Sequence, residues 1–226
     1  MQKLPPSEYA KLDLADQWIE DEMQKVETAW IVNAIPHAKK VLELGHGSGI
    51  VATALRDAGK EVTIVEGAAE YIGKIDGVQY VHSMFEDFEP IGGYDCVIAS
   101  FVLEHVADPV ALLKRATRWA PILIAVVGNA ESWHRRLAVE MGIQPALESL
   151  SARDHAVGHY RVYDRKTIHV DLSDGGWDVK YTTGIMFKPL PNSMLVGLDK
   201  NLIRAMCEIS VSPMQAANIA IYAGRK

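Results

Sequence analysis

Val41-Leu42-Glu43-Leu44-Gly45-His46-Gly47-Ser48-Gly49, followed by Val62-Thr63-Ile64-Val65-Glu66, decides the fold of this 226-residue chain. An apolar run ends in an acid and three alternating glycines. A helical pattern follows, and a second apolar run ends in a carboxylate. Glycines let the backbone turn tightly and approach a ligand closely. A carboxylate at the tip of the second strand can accept hydrogen bonds from both hydroxyls of a ribose. The pair reads as a nucleotide site on a strand–loop–helix–strand unit, and spacing selects the nucleotide. The dinucleotide fingerprint is G-x-G-x-x-G, with a pyrophosphate on the helix N-terminus. Here the third glycine falls one residue early, at Gly49, and Ile50 holds the dinucleotide position. Glu43, two residues before the first glycine, suits a cationic ligand better than a pyrophosphate.

Outward from this unit the pattern alternates. Strands are predicted at 40–45, 62–66, 79–82, 95–100 and 122–127, with helices at 48–58, 68–74 and from Asp108 to about 119, Pro109 occupying the first turn of the last. Strands alternating with helices argue for a parallel sheet covered on both faces. Ligands of such sheets sit at the carboxyl ends of the strands, where Glu43, Glu66, Met84, Ser100 and Asn129 fall. Upstream, Ala15, Trp18, Ile19, Met23, Val26, Trp30 and Ile31 recur at helical spacing and predict a helix over 8–35, with Pro5-Pro6-Ser7 as its start signal. It reads either as a packing helix or as a lid over the ligand. Downstream, helices are predicted at 129–141, 166–173 and 198–210, and strands at 177–182 and 217–223; 149–165 reads as a polar, histidine-rich connection.

Two further stretches extend the pattern: Tyr94-Asp95-Cys96-Val97-Ile98-Ala99-Ser100, and Leu103-Glu104-His105-Val106 followed by Asp108-Pro109. With Glu43-Leu44-Gly45-His46-Gly47-Ser48-Gly49 and Glu66, they resemble, in order, the motifs of the class I S-adenosylmethionine-dependent methyltransferases, in particular their small-molecule branch. The resemblance covers residues 38–128 well and the rest weakly. It implies an α/β, Rossmann-like, doubly wound seven-stranded sheet, mostly parallel with an antiparallel last strand, plus an N-terminal helical lid. It implies one domain, 1–226, divided into lid (1–37), cofactor-binding core (38–128) and substrate-side elements (129–226). The cofactor implied, S-adenosylmethionine, carries an ammonium and a sulfonium and no phosphate. Gly45 and Gly47 are then where the backbone meets it, Glu43 reaches its amino group directly or through water, and Glu66 takes its ribose hydroxyls. His46 packs on its tail or points away. The adenine is expected between Gly67 and Met84-Phe85-Glu86, with Met84 on the ring face. The aspartate usual after the third strand is absent, Ser83-Met84 standing there. Ser100 and Phe101 should line the methionine portion.

For an oxygen or nitrogen acceptor, histidine is the natural base near neutral pH. The candidates are His105, and His159 and His155 within Asp154-His155-Ala156-Val157-Gly158-His159-Tyr160-Arg161. The two histidines of that segment lack an evident third ligand, so no metal is expected. Asn129, Trp133, Arg136, Tyr160 and Arg161 are the expected acceptor contacts. Arginine forks suit carboxylates and phosphates, which points to a small acceptor bearing one. The activity expected is methyl transfer to a small molecule, at oxygen with a histidine base, as in the tailoring of natural products. The strand-four tail Ala99-Ser100-Phe101-Val102 departs from the N/D-P-P-Y/F of amino-directed nucleic-acid enzymes. The alternatives are N-methylation, a peptide or RNA acceptor, and a non-catalytic cofactor-binding protein.

Composition is that of a globular protein, 49% apolar and 23% charged, and a net charge of -6 gives no basic face for nucleic acid. No apolar run approaches the ~20 residues of a membrane span. Met1 to Glu8 lacks the basic-then-apolar order of a signal peptide. Cys96 and Cys207 lie far apart, so a reducing, cytoplasmic setting is expected. The N-terminal helix and the 198–210 segment are the surfaces through which a homodimer would form.

Overall fold

In the computed structural model, residues 17–90, 93–209 and 211–226 are described. Seven strands, β1 (Lys40–Leu44), β2 (Glu61–Glu66), β3 (Gln79–His82), β4 (Cys96–Ser100), β5 (Ile122–Gly128), β6 (Trp177–Ile185) and β7 (Asn218–Arg225), share one sheet in the order β3-β2-β1-β4-β5-β7-β6. The first five pair in parallel, and β7 runs antiparallel to both β5 and β6. The chain moves outward from β1 to β3 and then returns to the other side of β1 for β4. That reversal opens a crevice at the carboxyl ends of β1 and β4, where open α/β sheets bind ligands.

Eight helices accompany the strands among the described residues: α1 (Gln17–Ala34), α2 (Ile50–Asp57), α3 (Pro109–Ala116), α4 (Trp133–Glu140), α5 (Ala152–Ala156), α6 (Arg165–Asp174), α7 (Asn192–Leu195) and α8 (Lys200–Glu208). The strand period of two sorts the apolar residues onto two faces. Leu42, Leu44, Val97, Ala99, Leu123 and Ala125 meet Leu112 and Leu113 of α3 and Ile168 and Leu172 of α6. Val41, Ile64, Cys96, Ile98, Ile124 and Val126 meet Ile19, Met23 and Ile31 of α1, Leu55 of α2 and Ile203 of α8. Trp177 opens β6 fully buried and donates its indole N–H to the Leu113 carbonyl oxygen at 2.9 Å, which ties the antiparallel edge to α3.

Several predicted elements differ from those observed. The 68–74 helix is only a 3-10 turn, Ala69–Tyr71, because Gly73 (φ +74) and Gly77 (φ +76) take left-handed turns just after it. The helix expected from 129 begins at Trp133, because the Asn129 side chain accepts from the Glu131 amide at 3.0 Å and holds a turn there. The 149–165 connection contains α5, started by a Ser151 hydroxyl that accepts from the Asp154 amide at 3.1 Å. The 8–35 helix is α1 where described; residues 8–16, Pro5-Pro6-Ser7 and Ser210 lie outside the described residues. Among the described residues no helix is long and apolar enough to cross a membrane.

Candidate active site

Register explains why the expected acids converge. Glu43 lies beside Ile64 of β2 and Ile98 of β4. Glu66 and Ser100 follow two residues on, so all three share the sheet face that α1 covers. The loop after β1 carries three left-handed glycines, Gly45 (φ +64), Gly47 (φ +49) and Gly49 (φ +80), a conformation costly for any residue with a β-carbon. A β-carbon on Gly47 would meet nothing within 4 Å, and one on Gly45 would first meet Phe85 Cζ at 3.6 Å and Glu66 Oε2 at 3.9 Å. Open space lies above this backbone.

That space is a cavity of about 620 Å³, within the range of small-molecule sites. Glu20, Gln24 and Glu27 of α1 form one wall; Glu43, Gly45, His46, Gly47 and Ser48 form its floor. Glu66, Tyr71 and Phe85 close one end, and Ser100, Phe101, His105, Asp154, Val157 and His159 the other. The Ser48 hydroxyl donates to Gln24 Oε1 at 2.7 Å and ties α1 to the glycine loop. Among the described lining residues are the carboxyl groups of Glu20, Glu27, Glu43, Glu66 and Asp154, and no lysine or arginine. Glu43 is 3% exposed and its Oε2 has no hydrogen-bond partner. Burial pushes its carboxyl up to about 8. Glu27 is likewise pushed up to about 8 by burial, against the hydrogen bond that it accepts from Asn218. A buried carboxyl with an unpartnered oxygen, as at Glu43, is what a cationic ligand would satisfy. The residues therefore fit S-adenosylmethionine, and they fit a pyrophosphate badly.

Glu66 Oε1 accepts from the Ala68 amide at 2.9 Å, which orients the carboxylate at the tip of β2. His46 braces the wall: its ring lies edge-on to Tyr71 (5.3 Å) and Tyr80 (5.8 Å), with Nε2 3.1 Å from the Tyr71 carbonyl oxygen. Tyr71 and Phe85 are the aromatic groups beside Glu66. Gly67, Met84 and Glu86 stand outside the cavity wall. Met84 is 55% exposed, its sulfur lying against Gly67, and Glu86 is exposed. Of the residues expected at the adenine, Phe85 lines the cavity and Met84 does not. Phe101 takes φ +53, a rare conformation for a bulky residue, and is anchored by its amide to the Val126 carbonyl oxygen at 2.8 Å.

The far end of the cavity holds a polar chain. The rings of His105 and His159 pack edge to face, 4.5 Å apart. His159 Nδ1 lies 3.0 Å from Asp154 Oδ1, while Asp154 Oδ2 accepts from the Ser151 amide (2.8 Å) and hydroxyl (2.7 Å) and stands 3.6 Å from Arg135. Burial opposes ionisation of Asp154, but the bonds from His159 and Ser151 outweigh it and hold the carboxyl well below the usual range. Asp154 was missed from sequence; its place five residues before His159 in a polar segment was the available signal. The α1 acids and Tyr71 were missed as well.

Other expected contacts do not line this cavity. His155 is exposed and away from the cavity wall. Trp133 and Tyr160 are 37% and 51% exposed and do not line it. Arg161 donates to the carbonyl oxygens of Leu103, Val106 and Ala107, and Arg136 to that of Glu131. Arg135 likewise serves the carbonyls of Leu147 and Ser149. These three guanidinium groups are committed to the protein's own backbone. The amide of Asn129 is used on Pro213, Ala216 and Glu131.

Residues 18–181 match the family model described as a methyltransferase domain. The chain is 25% identical over 174 residues to the ubiquinone biosynthesis O-methyltransferase of Escherichia coli O7:K1, covering 70% of each. Against the same-named protein of Vibrio parahaemolyticus it is 33% identical over 86 residues, and the chain spans 37% of that relative's length. Among solved structures, the Thermotoga maritima protein described as a possible histamine N-methyltransferase superposes with a TM-score of 0.64 at 19% identity, over 97% of this chain and 95% of that one.

Proposed function

The chain belongs to the S-adenosylmethionine-dependent methyltransferases, and from that premise we propose that it methylates a hydroxyl oxygen of a small, uncharged acceptor with His159 as the base. When bound, the cofactor supplies an electrophilic methyl group on a sulfonium leaving group. Gly45 and Gly47 would admit it, Glu66 would accept from its ribose, and the buried Glu43 carboxyl would receive its ammonium. Glu20, Gln24 and Glu27 of α1 wall the same cavity.

The observation that carries the reading is the His159–Asp154 pair in the cavity wall, Nδ1 to Oδ1 at 3.0 Å. A carboxylate on Nδ1 holds the tautomer whose lone pair is on Nε2. Nε2 then takes the acceptor's proton as its oxygen becomes nucleophilic. His105, packed on the same ring, limits how His159 turns. Among the described residues no lysine or arginine lines this cavity, which supports an uncharged acceptor rather than a carboxylate or phosphate. The same carboxyl-rich wall favours a second reading, N-methylation of a small amine.

Purified protein, labelled cofactor and matched sets of phenols, amines and benzoates test this. Transfer to phenols, lost at least a hundredfold in His159→Ala with S-adenosylhomocysteine affinity intact, is the expected result. Preferential transfer to amines would move the conclusion to nitrogen. Undiminished turnover by His159→Ala would remove the base.

A further inference from the structure

Beyond Phe101 lies a second chamber of about 190 Å³. It shares Glu20, Phe101, Asp154 and His159 with the main cavity, so the two spaces meet at the imidazole. Two polar atoms of its wall residues are buried without a hydrogen bond, Glu104 Oε2 and His134 Nδ1. Glu104 is 3% exposed, and its other oxygen accepts a long bond, 3.4 Å, from the Gly128 amide. Unpaired buried polar groups are costly and rare without a ligand or water to satisfy them. Burial, with Lys188 and Arg135 nearby, pushes the His134 imidazole down to about 3, so it is a neutral hydrogen-bonding group at physiological pH.

Charge and size narrow the occupant. Among the described residues the wall carries three cationic side chains, Arg135, Arg161 and Lys188, and three acidic ones, Glu20, Glu104 and Asp154. Such a balance gives no advantage to a charged group. The volume equals that of about six waters at ~30 Å³ each, or roughly six to eight non-hydrogen atoms. A hydroxyl both donates and accepts, and so can serve a carboxyl oxygen and an imidazole nitrogen without adding charge.

We propose that this chamber is the specificity pocket for the acceptor, taking an uncharged, hydroxylated end of about six to eight non-hydrogen atoms against Glu104 and His134. The proposal rests on the methyl-transfer reading, which puts the reacting oxygen at His159, the shared wall of the two spaces.

The test loads the protein with S-adenosylhomocysteine and titrates resorcinol, benzoate and benzylamine by ligand-observed NMR. Resorcinol should bind at least fivefold more tightly than either charged probe. Glu104→Leu and His134→Leu should each weaken it at least tenfold while S-adenosylhomocysteine affinity holds. Glu104→Leu should melt no lower than the parent, since it removes an unpaired buried carboxyl. Unchanged resorcinol affinity in both variants, preference for a charged probe, or no binding by any of the three would overturn the chamber's role with the methyl-transfer reading intact. Failure of S-adenosylhomocysteine to bind would overturn both.

Discussion

Glu66 and Asp154 are each held by backbone or hydroxyl donors on one side and face the cavity on the other. That arrangement makes single substitutions informative. Glu66→Ala should weaken S-adenosylhomocysteine tenfold to a hundredfold by calorimetry, the loss of about 1.5–3 kcal/mol expected for hydrogen bonds to a charged acceptor. An unaltered isotherm would reassign the ribose. Asp154 acts through His159 and is a positioning residue. Asp154→Asn keeps the shape but no longer fixes the tautomer. Steady-state kinetics should show kcat down about a hundredfold, within the range for lost general-base catalysis, with the acceptor KM changed less than about twofold. Asp154→Glu should recover part of the rate. A fall in affinity without a fall in kcat would leave Asp154 a purely structural role. At this scale the sequence was legible where backbone chemistry dictates the residue, as at Gly45, Gly47 and Glu66. It was not legible for Asp154, whose partner is chosen by how α5 and the turn at Gly158 fold back on His105.

The short elements depend on side chains that bind the backbone of other elements. Arg161 gathers the carbonyl oxygens of Leu103, Val106 and Ala107, the turn that carries His105. Arg161→Met should destabilise the protein by about 2 kcal/mol in urea unfolding, from charged hydrogen bonds lost and carbonyls left unpaired. It should also lower kcat by misplacing His105. Stability within experimental error of the parent would show that water replaces the guanidinium without cost. Helix α6 begins with a reciprocal capping box, Asp164 accepting from the Thr167 amide at 2.6 Å and the Asp164 amide donating to Thr167 Oγ1 at 3.0 Å. Its start is the kind of local signal that sequence carries. Helix α1 was legible through its apolar stripe, and the stripe does pack in the core. That its adjacent face, Glu20, Gln24 and Glu27, forms a cavity wall depends on the angle at which α1 crosses the sheet.

For the whole molecule, Glu27 and Glu43 link folding to pH. Both have folded-state values raised from 4.5 to about 8 by burial. Between those values the folded chain keeps protons that the unfolded chain releases. The stability they contribute is fully present below about pH 4.5 and is lost as pH rises through about 8. Cofactor-free protein should therefore lose a few kcal/mol between pH 5.5 and 8.5 from these two groups. Urea unfolding across that window should show Glu43→Gln releasing about one proton fewer on unfolding near pH 6.5. An identical pH slope in the variant would mean that Glu43 is already ionised in the fold. Bound S-adenosylhomocysteine should raise stability by mass action at every pH.

The order of apolar runs, the glycine spacing and the strand-end acids by themselves determined an α/β sheet, the strand ends at which its ligand sits and the class of cofactor. These follow from local chemistry: left-handed glycines, the strand period of two and the helical repeat act over a few residues. Tertiary structure alone decided that Arg135, Arg136 and Arg161 bind backbone carbonyl oxygens, that His159 rather than His155 lines the cavity, and that Glu104 and His134 share a second chamber. Those outcomes depend on which distant segment brings a carbonyl, a carboxylate or empty space within about 3 Å of a side chain, and spacing along the chain does not encode that distance.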